Sequence, residues 1–275
     1  MEGVGMAAGR ARSRRMGRAA RRRPVRGTLS ADPCPHDGDV LNLPTTAHPL
    51  DNVIWSALTT CQAPLAIGDD VARRFQPDFA RFAAMARPTA ASMAALARIV
   101  RTGEEFALFL LESIDPGPHF EVLAHKTLVQ MMGPATGAPV DASRFVVLGP
   151  QHREQMTALV RRTEPGPWLP RSNELGRFLG VFADGALVAM AGERMHLTGH
   201  TEISAVCTDP AWRGKGLAGE LMRAVSQAIV ARGERPFLHA LAENAGALAL
   251  YEKLGFTKRG QFRLQIMRRN ETPAA

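Results

Sequence analysis

The chain has 275 residues, 45% of them apolar and 22% charged. That composition allows a sizeable core and excludes a fibrous or wholly disordered protein. No stretch has the roughly 18 uninterrupted apolar residues that a membrane helix needs, so we expect a soluble, cytoplasmic protein without a membrane partner. The three cysteines, Cys34, Cys61 and Cys207, are odd in number and widely spaced, which argues against a disulfide framework and a zinc site.

The excess positive charge lies at one end of the chain. The net charge is +8, and residues 1–30 hold nine arginines against one acid, Glu2. The remainder is therefore neutral, and we do not expect nucleic acid to bind a basic face of the folded part. Residues 1–44 have no apolar periodicity and are predicted to be a disordered Arg-rich tail.

Three interpretations of this tail stay open. It is an organelle-targeting peptide, a nucleic-acid-binding tail, or a set of residues upstream of the natural start. The whole chain contains 30 Arg and 4 Lys. That bias is typical of a GC-rich gene and favours the third interpretation.

Residues 45–135 are predicted to form an N-terminal subdomain without a recognisable chemical motif. The Pro- and Gly-containing run 133–143 indicates a boundary, and a second domain is predicted over 141–270. In the subdomain, hydrophobic patterning predicts helices over 51–60 and 88–101, and strands over 79–86, 105–112 and 120–132.

The second domain has a clearer pattern. Its predicted elements are a strand at 144–149, a helix at 151–162, a hairpin of strands 178–183 and 186–197 turning at Asp184-Gly185, and a strand at 201–208. Alternation along the last strand places Ile203, Ala205 and Cys207 on one face, and Glu202, Ser204 and Val206 on the other.

A helix follows that strand, and a glycine-containing turn precedes the helix. Its apolar stripe is Leu217, Leu221, Val225 and Ile229, and Gly233 ends it. The turn reads RGKGLA over 213–218.

This turn is a candidate phosphate site. Gly214 and Gly216 allow close backbone approach, so the amides of Lys215, Leu217 and Ala218 can converge on an anion. The helix dipole and the cations of Arg213 and Lys215 add positive potential. An ordinary turn before a surface helix is the alternative. The spacing matches neither a nucleoside triphosphatase loop nor a dinucleotide fingerprint.

A second motif begins about thirty residues later, after a predicted strand at 236–242. Asn244 can cap a helix, and Tyr251 returns to nearly the same helical face seven residues on. Gly255 then ends the helix. Tyr251 is the only tyrosine in the chain, so its presence at this position does not reflect abundant tyrosine.

Together these residues resemble the GNAT superfamily of acyl-CoA-dependent N-acetyltransferases. Arg213-x-x-Gly216-x-Ala218 is similar to the family's pyrophosphate loop, and Asn244-x-x-Ala247-x-x-x-Tyr251 is similar to its second cofactor segment. The resemblance covers residues 144–269. The run ISAVCTDPAWRGKGLA resembles the branch related to glycine N-acyltransferase.

The resemblance implies an α/β (α+β) fold, in which helices flank a mixed, splayed sheet that holds the pantetheine arm of acetyl-CoA. The N-terminal subdomain would then be a helper unit, interpreted as a degenerate half of the same fold. Acetyl-CoA is the implied co-substrate, and no metal is expected. The implied cofactor-binding residues are the strand backbone at Ala205, Val206 and Cys207, the loop residues Arg213, Gly214, Lys215, Gly216, Leu217 and Ala218, and the side chains of Asn244 and Tyr251.

The implied reaction is direct attack of an amine on the thioester. Glu202 is the candidate base, and a solvent-exposed structural glutamate is the alternative. A backbone N–H at Val206 or Cys207 is the implied oxyanion donor. Tyr251 would act on the departing sulfur, unless it is only a half-buried aromatic residue.

Other functions and properties remain open at this level. A catalytically silent acyl-CoA-binding domain and a nucleic-acid-associated protein are the alternatives to an N-acetyltransferase. The amine acceptor belongs to a small molecule or a peptide, and the sequence decides neither its identity nor whether the chain forms a homodimer.

Overall fold

The computed structural model describes residues 48–136 and 140–271. The predicted tail at 1–44 and part of the predicted boundary, 137–139, lie outside the described residues. No helix in the described ranges is long and apolar enough to cross a membrane. The helices are α1 (Val53–Thr59), α2 (Ala90–Ile99), α3 (Arg153–Thr163), α4 (Leu217–Ala231) and α5 (Ala245–Lys253). The strands are β1 (Ala66–Gly68), β2 (Ala72–Phe75), β3 (Ala83–Met85), β4 (Glu105–Leu110), β5 (Phe120–Met132), β6 (Val146–Leu148), β7 (Phe178–Ala183), β8 (Ala186–Leu197), β9 (His200–Thr208), β10 (Arg235–Leu241) and β11 (Thr257–Arg269).

Eight of these strands form one mixed sheet, in the order β4-β11-β5-β10-β9-β8-β7-β6. The strands of both predicted domains join it, since β5 lies between β10 and β11 and pairs antiparallel with each. β1, β2 and β3 form a separate small sheet. The expected mixed sheet flanked by helices is confirmed.

The sheet is splayed between β9 and β10. These strands pair in parallel from His200↔Arg235 to Glu202↔Phe237. Beyond that point β10 continues along β5 as far as Leu241, while β9 continues along β8. A gap therefore opens between the second half of β9 and β10.

A β-bulge lies in β9 where the gap begins. Met190 of β8 faces Cys207, but Gly192 faces Ser204, so β9 has one extra residue in this interval. Ala205 adopts a left-handed φ of 51° within the bulge. Bulges of this kind redirect side chains and end regular pairing.

The bulge corrects the expected alternation along β9. Ile203 and Val206 both pack in the cluster beneath α4, whereas Ala205 and Cys207 pack with α3. Ile203 therefore does not share a face with Ala205 and Cys207, because the extra residue reverses the alternation midway.

Helix packing on the two faces follows the sequence pattern more closely. Leu221, Val225 and Ile229 of α4 are buried against the sheet, as their four-residue spacing predicts. On the opposite face, Met156 and Leu159 of α3 pack against β7 and β8. α1 lies in a third cluster with Phe82 and Phe262.

Two expectations for the N-terminal region need revision. β1 and β2 were not expected, and the strand expected over 79–86 is limited to β3, with turns before it. Cys61 is disulfide-bonded while Cys207 is a free thiol. Cysteine number and spacing did not indicate that bond.

Candidate active site

The RGKGLA turn links the end of β9 to α4. A short 3-10 turn, Pro210–Trp212, comes first and is capped by Asp209, whose carboxylate accepts the N–H of Ala211 at 3.1 Å. Gly214 and Gly216 follow with φ of 77° and 78°. A Cβ on either glycine would meet no atom within 4 Å, so backbone conformation rather than packing favours glycine here.

The N-terminus of α4 has no side-chain cap. Its N-cap is Gly216, and α4 runs for 15 residues from there. The first N–H groups of an α-helix lack intrahelical partners, and the helix dipole makes this end positive. The turn that leads to it is exposed. Exposed amides with no capping side chain, at the end of a strand that borders a gap, fit the diphosphate of coenzyme A.

Two cations flank this helix end. The Nζ of Lys215 lies 3.9 Å from the centre of the Trp212 ring. The Nε of Arg213 donates to the carbonyl of Thr208 at 3.4 Å. Both side chains are exposed. Trp212 therefore packs against the turn and holds one of the cations beside it.

Asn244 and Tyr251 lie on α5, as expected. Asn244 caps the helix, because its Oδ1 accepts the N–H of Ala247 at 3.1 Å. Among the described residues its Nδ2 has no partner. The ring of Tyr251 packs near Phe256, with centroids 6.3 Å apart, and burial raises the pKa of its hydroxyl. That hydroxyl also has no hydrogen-bond partner within the described ranges.

Glu202 lies where β9 and β10 separate, and it is fully buried. Its carboxylate accepts two hydrogen bonds from Arg194, at 2.7 and 2.6 Å, and one from the Nδ1 of His239 at 2.7 Å. Burial alone would raise the pKa of Glu202. The charge and hydrogen bonds of Arg194, together with His239, outweigh it and lower that pKa to about 2. A carboxylate in this state is a poor proton acceptor.

A hydrogen-bonded chain continues from His239 towards the N-terminal residues. The Nε2 of Gln130 lies 3.0 Å from the Nε2 of His239 and 3.0 Å from the carbonyl of Leu50. The Oε1 of Gln130 accepts from Arg259 at 2.9 Å. This contact sets the amide orientation of Gln130, so its NH₂ group donates to His239. His239 therefore accepts at Nε2 and donates at Nδ1 to Glu202.

Sequence reasoning missed Arg194, Gln130 and His239. They come from β8, β5 and β10 and have no shared motif or spacing, so only strand pairing brings them to Glu202. The one available signal was Glu202 itself, a carboxylate among the apolar residues of a predicted strand, because a carboxylate that is buried in such a strand requires a partner.

Cys207 faces α3 and is buried. Burial raises the pKa of its thiol to about 11, so the thiol keeps its proton at neutral pH. Within the described parts of the chain no group of three His, Cys, Asp or Glu side chains is arranged to hold a metal ion.

A small cleft of about 30 Å³ lies beside the bulge. Ser204 and Ala205 line it, together with Phe79 and Phe82 from the segment before β4. Residues 167–169 of the loop after α3 also line it. This cleft is therefore next to the point where the gap between β9 and β10 begins.

The chain is similar in sequence and in fold to several known proteins. A model of the FR47-like protein family matches residues 178–264. A crystal structure from Novosphingobium aromaticivorans, described as a GNAT-family acetyltransferase, is 38% identical, with a TM-score of 0.77. That match covers 82% of this chain and 100% of the other.

Two further comparisons cover less or are more distant. The N-alpha-acetyltransferase RimI of Mycobacterium tuberculosis is 32% identical over 105 residues, which is 34% of this chain and 64% of that relative. The match thus spans less than two thirds of the relative. A Drosophila protein structure is 16% identical, with a TM-score of 0.52, and the match covers 72% of this chain and 73% of the Drosophila chain. It supports the fold alone.

Proposed function

Because the chain belongs to the GNAT family of acetyltransferases, we propose that it transfers an acetyl group from acetyl-CoA to a primary amine of a small molecule or peptide. One observation supports this most directly. The strand β9, from which β10 separates, leads into the N-terminus of α4. That N-terminus has no capping side chain, and its N-cap residue is a glycine. A thioester carrier with a diphosphate needs both a gap for its arm and amides for its phosphates.

In this proposal the turn at 213–218 binds the diphosphate through its amides, and Arg213 and Lys215 add positive charge. The pantetheine arm lies along β9 at Ala205, Val206 and Cys207, where β10 no longer pairs with β9. The free Nδ2 of Asn244 is available to the same ligand. The resemblance to the glycine N-acyltransferase branch remains a prediction, and comparing acetyl-CoA with longer acyl-CoA donors tests it.

The amine nitrogen attacks the thioester carbonyl carbon, and negative charge develops on the carbonyl oxygen. A backbone N–H at Val206 or Cys207, next to the bulge, is the donor that stabilises this oxygen. Collapse of the intermediate breaks the carbon–sulfur bond and leaves a thiolate on coenzyme A. The amide product carries the acetyl group, and the ammonium proton is released.

Tyr251 is proposed to donate a hydrogen bond to the departing sulfur. Burial raises the pKa of its hydroxyl, so the phenol keeps its proton in the alkaline range where amine acceptors are neutral. A neutral phenol can donate to a developing thiolate, whereas a phenolate cannot.

Glu202 is not part of the proposed chemistry. Its carboxylate is bound to Arg194 and His239, so an acceptor amine must lose its proton to water or arrive neutral. At pH 7, an α-amine with a pKa near 8 is about one-tenth neutral. Activity is therefore expected to rise with pH until the acceptor is deprotonated.

The test is thiol release from acetyl-CoA, followed over a panel of amines, with mass spectrometry of the acetylated product. Amine-dependent release of one thiol per acetylated product supports the proposal. Tight binding of acetyl-CoA without amine-dependent release would instead indicate a silent acyl-CoA-binding domain.

A further inference from the structure

Two carboxylates flank the RGKGLA turn. Asp209 caps the short 3-10 turn that precedes it, and Glu220 lies in the first turn of α4. Their side chains are only 20% and 33% exposed, so solvent screens their charge less than it would on an open surface. Negative charge at either position would repel a diphosphate bound at the turn.

Each of these carboxylates is paired with an arginine from another element. The Nε of Arg162, in the last turn of α3, donates to the Oδ2 of Asp209 at 2.9 Å. The Nη1 of Arg144, two residues before β6, lies 3.2 Å from the Oε2 of Glu220. The Oδ1 of Asp209 accepts the N–H of Ala211 at 3.1 Å. One oxygen of Asp209 therefore shapes the turn, and the other is held in a charge pair.

The cations of the turn itself have no ion-pair partner within the described ranges. Arg213 donates to the carbonyl of Thr208, and Lys215 contacts the ring of Trp212. Their charge is available to a ligand, while the carboxylates on either side are balanced. Without the two paired arginines, these carboxylates would cancel the charge of Arg213 and Lys215.

We propose that Arg162 and Arg144 are positioning residues for coenzyme A, which neutralise Asp209 and Glu220 and so keep the diphosphate site positive. They act through these carboxylates rather than on the ligand. This inference rests on the proposed binding of coenzyme A at the turn.

A mechanical tether is the alternative role for the Arg162–Asp209 pair, because the pair joins α3 to the turn. The two roles predict opposite effects for Asp209→Asn. Asparagine keeps an oxygen for the N–H of Ala211 and removes the negative charge, so neutralisation predicts no loss of affinity for coenzyme A. A tether would be broken by either substitution, so it predicts weaker binding in both.

Calorimetric titration of coenzyme A into wild type, Arg162→Ala, Asp209→Asn and their double variant tests the proposal. We expect Arg162→Ala to raise the Kd about fivefold at low salt, because it uncovers one negative charge near a diphosphate. Adding Asp209→Asn to Arg162→Ala should restore the wild-type Kd. The difference between wild type and Arg162→Ala should fall to about twofold or less in about 1 M NaCl, where the Debye length is about 3 Å.

Arg162→Lys keeps the charge and should bind coenzyme A like the wild type. Arg144→Ala, alone and with Glu220→Gln, provides a second cycle in which we expect the same pattern. Thermal unfolding checks that each variant folds. In thiol-release kinetics, Arg162→Ala should raise KM for acetyl-CoA and leave kcat nearly unchanged.

Arg153→Ala is the matched control. Arg153 begins α3 and lies 2.7 Å from Glu174, with both side chains exposed to a similar degree as those of Arg162 and Asp209. Its loss should leave the Kd for coenzyme A unchanged.

The outcomes separate this inference from the proposed function. No binding of coenzyme A to the wild type would refute the proposed function, and this inference with it. Binding to the wild type with an unchanged Kd in Arg162→Ala would overturn the inference alone. Equal weakening by Arg162→Ala and Asp209→Asn, without recovery in the double variant, would also overturn it and would identify the pair as a tether.

Discussion

Tyr251 carries a hydroxyl without a protein partner, on a ring that is otherwise packed in the core beneath α4 and α5. Removing the hydroxyl should therefore affect chemistry more than folding or binding. We expect Tyr251→Phe to lower kcat by about 100-fold and to leave the Kd for coenzyme A nearly unchanged. Thiol-release kinetics and calorimetry measure the two quantities. An unchanged kcat would remove Tyr251 from the reaction.

Glu202 is expected to stabilise the fold rather than act on substrate. Its pKa falls from 4.5 to about 2 on folding, so its ionised form stabilises the protein above about pH 4.5. That contribution is lost as the pH falls from about 4.5 to 2.

Glu202→Gln should remove this pH dependence. It should also lower the free energy of unfolding by about 3 kcal/mol at neutral pH, because the cation of Arg194 stays partly buried without its anion. Urea unfolding between pH 2 and 8 measures both effects, with Glu121→Gln at an exposed ion pair as the control. If Glu202→Gln were as stable as the wild type at pH 7 and its reaction rate no longer depended on pH, Glu202 would instead be the base.

At the scale of elements, a side-chain hydrogen bond joins β9 and β10 at the point where they separate. The bond from His239 to Glu202 at 2.7 Å lies just past the last paired residues, Glu202 and Phe237. Three aromatic rings surround His239, those of Phe109, Phe237 and Phe262. They hold its imidazole in position.

His239→Phe removes this contact and retains an aromatic ring. We expect KM for acetyl-CoA to rise several-fold, because the two strands that border the gap lose their fixed separation, while α4 and its N-terminus are unaffected. His125→Phe, at an exposed residue of β5, is the control. Steady-state kinetics with acetyl-CoA as the varied substrate provides the measurement, and an unchanged KM would contradict this role.

The sequence predicted those elements whose signal is local. The four-residue stripe of α4, the glycines of the turn at 213–218 and the Asn244 cap all lie within short segments, and the structure has each of them as expected. The bulge at Ala205 was not predictable in this way. It depends on pairing with β8, and alanine gives no sign of a left-handed φ.

At the scale of the molecule, the two halves of the chain share one sheet. β5 pairs with both β10 and β11, so each of these strands would gain an exposed edge without it. Its position was not predictable, because pairing partners more than 100 residues apart leave no periodicity in the sequence. The predicted boundary near 133–143 therefore concerns the order of segments along the chain, since the strands on both sides of it join the same sheet.

The shared sheet predicts that residues 141–270 do not fold alone. Loss of β5 exposes the backbone edges of β10 and β11. It also uncovers Phe237 and Phe262, which are buried against the N-terminal residues. Circular dichroism and urea unfolding of this segment should show no cooperative transition. Residues 45–275, which lack only the predicted tail, should unfold cooperatively. A cooperative transition in the shorter segment would contradict the account.

The most direct test of the whole account is calorimetric titration of coenzyme A into three proteins: wild type, Gly216→Glu and Gly103→Glu. Both glycines have a left-handed φ, 78° and 75°, with open space around them, so backbone strain and added charge are matched. Gly103 lies far from the turn, at the β4 edge of the sheet. We predict similar affinity for wild type and Gly103→Glu, and a loss of at least 100-fold for Gly216→Glu. Undiminished affinity in Gly216→Glu would show that the diphosphate does not bind at the start of α4.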